Sequence, residues 1–227
     1  MQIRRLHLLA RDLAAQRRFY ADTLGFVVSA DAGHAFTLQT GASQLTFIDE
    51  RHAGSPHAPY HFAFNIPIDL VDRAARWTAA LTPLLPDRTG QLQFRNQTFA
   101  SHQLYFKDPD GNIGEFIGRE RLPLSGQADF TPRADVLAIS EIGLAVPDVP
   151  TAVMGYMIDL GPSRFGPNPG EAFAAVGDDD GMLIVVRDGR LWFPDTGIPA
   201  LPLWLEAELE SASGRWLLGG PPYRLRR

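Results

Sequence analysis

Cysteine is absent from all 227 residues, and this one absence removes disulfides, thiolate metal sites and cysteine nucleophiles together. Any metal the chain holds must be bound by His, Asp, Glu or water. No apolar run approaches the roughly 20 residues of a membrane-spanning helix. Basic excess is missing too. The formal net charge of -5 argues against a protein that lives mainly on nucleic-acid phosphates, which need a basic face. Met1 leads straight into a strand-like segment without a signal-peptide pattern, so a cytoplasmic location is expected.

What is present is a recurring unit. The segment IRRLHLLA (residues 3–10) has strand character, and Asp12 stands where a helix N-cap belongs. Leu13, Gln16, Phe19, Tyr20 and Leu24 follow near helical spacing, and Gly25 ends the element. FVVSA, HAFTLQT and SQLTFID are short strands separated by turns. The order β-α-β-β-β then recurs. In a second copy, YHFAFNI is a strand, IDLVDRAARWTAAL a helix, and LQFRNQ, HQLYFKD and IGEFIG are strands. A third copy opens at Ile139 with ISEIGLAVPDVPTAVMGYMIDLG, equal in length to IRRLHLLARDLAAQRRFYADTLG and matching it in Ile, Leu, Asp, Tyr and Gly. Recurrence of this kind outweighs a single propensity.

The expected division is therefore a paired region over residues 1–120, with module one at 1–50 and module two at 58–120. A Pro- and Gly-rich linker follows at 121–138. A third module with an extra strand, LPLWLEAEL, spans 139–210, and 211–227 is a loose tail. One such unit is a curved half-sheet. Two side by side make a cup whose concave face collects inward residues with period two.

On YHFAFNI, His61, Ala63 and Asn65 share one face; on IGEFIG, Ile113, Glu115 and Ile117 share one. A histidine and a glutamate on neighbouring strands make a sensible ligand pair for a divalent metal. The segments HFAF (61–64), HQLYFKDPDGNIGEF (102–116) and RDLAAQRRFYADTLGF (11–26) resemble the vicinal oxygen chelate superfamily. That group includes glyoxalase I, fosfomycin-modifying thiol transferases, bleomycin-binding proteins and extradiol dioxygenases. The resemblance covers residues 1–120 well and 139–187 more weakly. It implies an α+β fold of paired βαβββ modules forming a cup-shaped mixed sheet, here with a third module and a partial fourth strand unit. In the enzymes it implies a divalent metal that chelates two vicinal oxygens of a small-molecule substrate. Glu115 falls in the slot of a metal-binding carboxylate, which in the glyoxalase version also acts as catalytic proton shuttle, and His61 in that of a metal-binding histidine.

The third ligand stays open. Family enzymes place a histidine or glutamine seven residues before the Asp of the first helix; seven before Asp12 is Arg5, and His7 lies two further on, about 6.6 Å along a strand. In the third copy Glu141 lies seven before Asp148. With modules one and two in one cup, the expected metal set is His61, Glu115 and His7. With module three completing the cup it is Glu141, His61 and Glu115. Arg5 is expected to contact substrate or to pair with Glu115 across a metal-free cavity. His102 and Tyr105 are candidate substrate contacts on opposite strand faces, and Arg95 would add to a cationic pocket.

Iron, manganese, zinc, nickel or magnesium would suit such a site. A metal-dependent lyase, dioxygenase or thiol transferase is one expectation; a metal-free protein that sequesters a small molecule is the other. The odd third module suggests a homodimer, and Trp192, Phe193 and Trp204 suit packing. His52 and His57 read as solvated loop residues, and GDDDG (177–181) as a turn between strands.

Overall fold

Period-two patterning sets the first strand. β1 (Gln2–Ala10) buries Ile3, Leu6 and Leu8 and turns Arg5 and His7 toward the opposite, open face. The computed structural model describes residues 1–53, 58–161, 164–165 and 170–227, with the side chains of 52, 53 and 164 left aside. His57 and the side chain of His52 thus lie outside the described residues. Asp12 caps α1 (Leu13–Arg17), its carboxylate accepting from the Ala15 amide at 2.9 Å. The helix widens into a π turn through Arg18–Thr23. Gly25 then turns the chain at φ 71°, a region open to glycine at little cost.

Strands β2 (Val27–Asp31), β3 (Ala35–Thr40) and β4 (Ser43–Asp49) complete the first unit, with β4 parallel to β1. After the short α2 (Glu50–Ala53), unit two repeats the scheme. It comprises β5 (His61–Ile66), α3 (Val71–Ala79), β6 (Gln93–Asn96), β7 (Ser101–Lys107) and β8 (Ile113–Arg119), with β8 parallel to β5. The linker carries a single-turn α4 (Pro132–Asp135). Unit three comprises β9 (Ala138–Val146), α5 (Val149–Leu160), β10 (Arg164–Phe165), β11 (Phe173–Asp178) and β12 (Gly181–Arg187). GDDDG is the turn between β11 and β12, where Asp178 lies opposite Gly181. The architecture is α+β, an open mixed sheet with few helices.

The edge pairing differs from the expected one. β5 pairs antiparallel with β9, so units two and three form one cup in the order β6-β7-β8-β5-β9-β12-β11-β10. β1 pairs antiparallel with β13 (Leu205–Ser211), which continues into β14 (Gly214–Gly220) and β15 (Arg224–Arg226). The segment expected to be a loose tail is therefore strand, and it completes a second cup with unit one. The two cups touch edgewise at Ile3 and Ile139. Units one and two meet through the core instead of an edge. Phe26 packs on Phe64 at 5.1 Å between ring centroids and Phe47 on Phe62 at 6.4 Å, inside one cluster that also takes in Tyr156 and Val153 of α5. Every unit finds an edge partner within the chain, so the odd count gives no reason for a dimer. Among the described residues no helix is long and apolar enough to cross a membrane.

The turn DPDGN ties the units together. Buried Asp110 accepts from the Arg11 and Asp12 amides at 2.8 and 3.2 Å, at the junction of β1 and α1. Asp108 gathers the Asp110 and Asn112 amides, the Asn112 side chain and the Tyr20 hydroxyl, all within 3.1 Å. Burial pushes the Asp108 carboxyl up to about 7, while its donors pull the other way.

Two outcomes follow from this turn. Asp110→Ala leaves two amides without their acceptor and should lower stability by about 1–3 kcal/mol, read as a shift in urea midpoint at unchanged m. The second concerns pH. A carboxyl whose folded pKa is raised contributes stability that is present below the ordinary carboxylate range and is lost as pH rises toward 7. The stability difference between wild type and Asp108→Asn should therefore move against wild type from pH 4 to 7, by at most about 1.4 kcal/mol per unit. A pH-independent difference in urea melts would contradict it.

Candidate functional site

The pairing of β5 with β9 decides which side chains meet. Ala63 lies opposite Glu141 and Phe64 opposite Ile139, so Ser140 is an extra residue on β9, a bulge of the kind that re-aims neighbouring side chains. Pro67 follows His61 by six residues, as Pro147 follows Glu141, so these two occupy equivalent places on the first strands of their units. Glu115 on β8 stands opposite Ala63, two residues beyond His61. The matching place on β12, opposite Gly143, is Ile184. Three of the four symmetry-related positions thus carry ligand-type side chains and the fourth is apolar.

His61, Glu115 and Glu141 are buried and each offers an atom within 4.8 Å of the others. His61 Nε2 lies 3.5 Å from Glu115 Oε2 and 4.0 Å from Glu141 Oε2. The second oxygen of Glu141, Oε1, is held by Nη2 of Arg119, a fully buried arginine. Arg119 also reaches Ser140 Oγ at 3.2 Å. Tyr105 stands directly across from Glu115 on β7, on the same face of the sheet.

Burial governs protonation here. It lowers the His61 imidazole to about 4, leaving it neutral near pH 7. It raises Glu115, with the charge of Glu141 adding to the effect. Glu141 is raised by burial against the pull of Arg119, and the Tyr105 phenol is held well above its ordinary value, so it stays protonated. Two buried carboxylates side by side, with one arginine paired to Glu141, leave negative charge that wants a cation or a proton. A neutral imidazole with its Nε2 turned toward two carboxylate oxygens is a donor set that fits a divalent metal.

Above this floor opens a cavity of about 500 Å³. Tyr105, Phe94 and Trp192 form much of its wall, with Arg95 and Arg190 also lining it. Trp192 lies 4.9 Å from the His61 ring between centroids. It fits there because residue 143 is glycine: a Cβ at Gly143 would come within 2.6 Å of the indole.

His7 and Arg5 lie in the other cup. Arg5 pairs with Glu208 at 3.2 Å and His7 faces Glu206 at 4.0 Å, because β1 pairs with β13 and not with β5. The structure therefore brings His61 and Glu115 together with Glu141, not with His7, and replaces an Arg5–Glu115 pair by Arg119–Glu141. β1 does carry a bulge, but it falls at Arg4, between Ile3 and Arg5. Tyr105 lines the cavity; His102 does not, being on the opposite strand face with its imidazole lowered by burial and by Arg95. Trp192 packs in a second buried apolar cluster and also lines the cavity, as Phe193 does, whereas Trp204 is partly buried against the main core. Arg119 and Arg190 escaped the sequence reading altogether. Arg119 had one available signal, four residues after Glu115 on the same strand face; Arg190 had none, since it follows the last strand of a unit.

A family model described as the Glyoxalase/Bleomycin resistance protein/Dioxygenase superfamily matches residues 2–116. Among solved structures, a candidate dioxygenase from Bacillus subtilis is similar at a TM-score of 0.54 and 16% identity, over 82% of this chain and 63% of that one. This is a likeness of fold. A lactoylglutathione lyase from Agrobacterium tumefaciens aligns at 24% identity and a TM-score of 0.43, over 51% of this chain and 92% of that one. A glyoxalase/bleomycin resistance protein/dioxygenase family enzyme from Burkholderia phytofirmans aligns at 17% identity and a TM-score of 0.42, over 52% and 98% respectively. No curated protein matches. With a family match across its first two βαβββ units, more than half of its length, the chain belongs to the Glyoxalase/Bleomycin resistance protein/Dioxygenase superfamily.

Proposed function

We propose that the chain is a divalent-metal-dependent enzyme acting on a small molecule that offers two neighbouring oxygens. The observation that carries this reading is the convergence of His61 Nε2, Glu115 Oε2 and Glu141 Oε2, with Arg119 occupying the far oxygen of Glu141. Arg119 therefore supports Glu141 without taking the oxygen that faces the histidine, as second-layer partners of metal ligands do. Iron(II), manganese, nickel, zinc and magnesium all accept an imidazole with two carboxylates.

His61, Glu115 and Glu141 would hold the ion, and Ile184 in the fourth place leaves room for substrate oxygens. A bound divalent cation supplies Lewis-acid polarisation of those oxygens. The aromatic walls exclude water and orient the ligand. Tyr105 keeps its proton on the phenol oxygen at Glu115, so the pair can donate or receive a proton beside the substrate. Lyase, dioxygenase and thiol-transferase chemistry all use such a frame, and fold does not choose among them.

Arg119 also favours a second reading, a metal-free protein that sequesters a small molecule in the same cavity, since its charge already offsets one carboxylate. Elemental analysis separates the two. Protein purified without chelator from medium supplied with several divalent metals should carry near one equivalent. His61→Ala, Glu115→Gln and Glu141→Gln should each lose it, while His7→Ala and Arg5→Gln should keep it. Wild type with no metal above background overturns the enzyme reading.

Arg119→Met leaves Glu141 buried without its partner and should cost about 3 kcal/mol in the metal-free protein. Adding Glu141→Gln to that variant should recover part of the loss in urea melts.

A further inference from the structure

The chain after β12 makes a small structure of its own. Gly189 N donates to Ala200 O at 2.8 Å, Ala200 N to Arg190 O at 2.8 Å, and Trp192 N to Ile198 O at 2.9 Å. Leu191 bridges Pro199. This is a hairpin, so alternate residues face opposite ways: Arg190 and Trp192 line the cavity, while Leu191 is 59% exposed. Asp195 near its tip accepts from the Arg88 amide and guanidinium at 2.9 and 2.8 Å, which ties the hairpin to unit two.

Arg190 is therefore placed by backbone pairing. Its guanidinium lies 5.4 Å from the Phe173 ring centroid and, among the described residues, bonds only the Leu191 carbonyl, at 3.3 Å. Arg95 also lines the cavity. Among the described residues neither arginine has an ion-pair partner, and both line the cavity, whereas the buried Arg119 beside it is paired with Glu141. A half-buried guanidinium without a carboxylate, facing a cavity walled by Phe94, Tyr105, Trp192 and Phe193, presents a fork that suits a planar anion.

We propose that Arg190, assisted by Arg95, forms an anion subsite in the wall of this cavity, so that the ligand is an aromatic compound carrying an acidic group. The ring stacks in the aromatic cage, and the acid takes the guanidinium hydrogen bonds that no described residue accepts. The subsite rests on reading this cavity as the ligand site, but its test needs no metal. Carboxylate and phosphonate share the required chemistry, and the probes distinguish them.

The experiment is calorimetric titration of chelator-treated protein with 2-naphthoate, 2-naphthamide and 2-naphthylphosphonate. The acid should bind at least tenfold tighter than the amide, with an affinity that falls as salt rises. Arg190→Gln should cost the acid at least tenfold and leave the amide unchanged; Arg190→Lys should restore part of the loss, and Arg95→Gln should show a smaller loss. A phosphonate that outbinds the carboxylate supports the subsite and makes its anion phosphoryl. Equal binding of acid and amide, or an equal loss of both in Arg190→Gln, overturns the proposal. Metal content of untreated protein is measured in parallel. Metal at one equivalent without acid preference removes the subsite alone, and acid preference without metal removes the metal-dependent reading alone.

Discussion

The antiparallel contact between β5 and β9 is the constraint on which the rest depends. It brings the first strands of units two and three edge to edge and sets Ala63 opposite Glu141. In doing so it converts three residues spread over eighty positions of sequence into a cluster within 4.8 Å. Each unit supplies a rigid parallel pair, β5 with β8 and β9 with β12, so that the one edge contact fixes every inward side chain of the cup at once. The Ser140 bulge is part of the same contact. It gives Arg119 a hydroxyl beside the Glu141 carboxylate, and a buried guanidinium needs such partners to be tolerated.

The two cups answer the same geometric question in different ways. In the unit-one cup the inward residues are Arg5, His7, Glu206 and Glu208, which pair across β1 and β13 with side chains a third or more exposed. Charge there is balanced by neighbouring opposite charge and by water, and such pairs contribute little. In the other cup the imbalance is sealed under Trp192 and Tyr105. Burial then makes every group on the floor respond, depressing the histidine and raising both glutamates. An exposed ion-pair lattice has little left to offer a ligand, and a sealed, unbalanced floor has a great deal.

Much of this was legible in the sequence because it is local. The repeat of strand, helix and three strands, the Asp12 and Asp148 caps, and the candidate places of His61, Glu115 and Glu141 along their strands all follow from spacing within one unit. The choice of edge partner is not local. β1, β5 and β9 each bury a continuous apolar face against the core, and nothing in their alternation says which of them pair. Units one and two do pack tightly, through Phe26 on Phe64 and Phe47 on Phe62, and adjacency in sequence suggests an edge where the chain instead builds a core. The same non-locality turned the terminal segment into strands, since β13 and β14 become strand only once β1 offers its free edge.

The hairpin after β12 shows what lies outside a repeat-based reading. Among the described residues it has no counterpart in the other units, so no alignment of copies points to Arg190 or to the inward face of Trp192. Its placement comes from three backbone hydrogen bonds and from Gly143, whose missing Cβ makes room for the indole. Gly143 also faces Ile184 across the strands, so the one fourth-place residue without a ligand-type side chain and the one that admits the tryptophan are cross-strand neighbours. The half of the cup that lacks the fourth polar side chain is the half that gains a wall. Asymmetry of this kind turns a nearly two-fold floor into a cavity lined by both aromatic rings and arginines, and an asymmetric wall favours one orientation of whatever enters it.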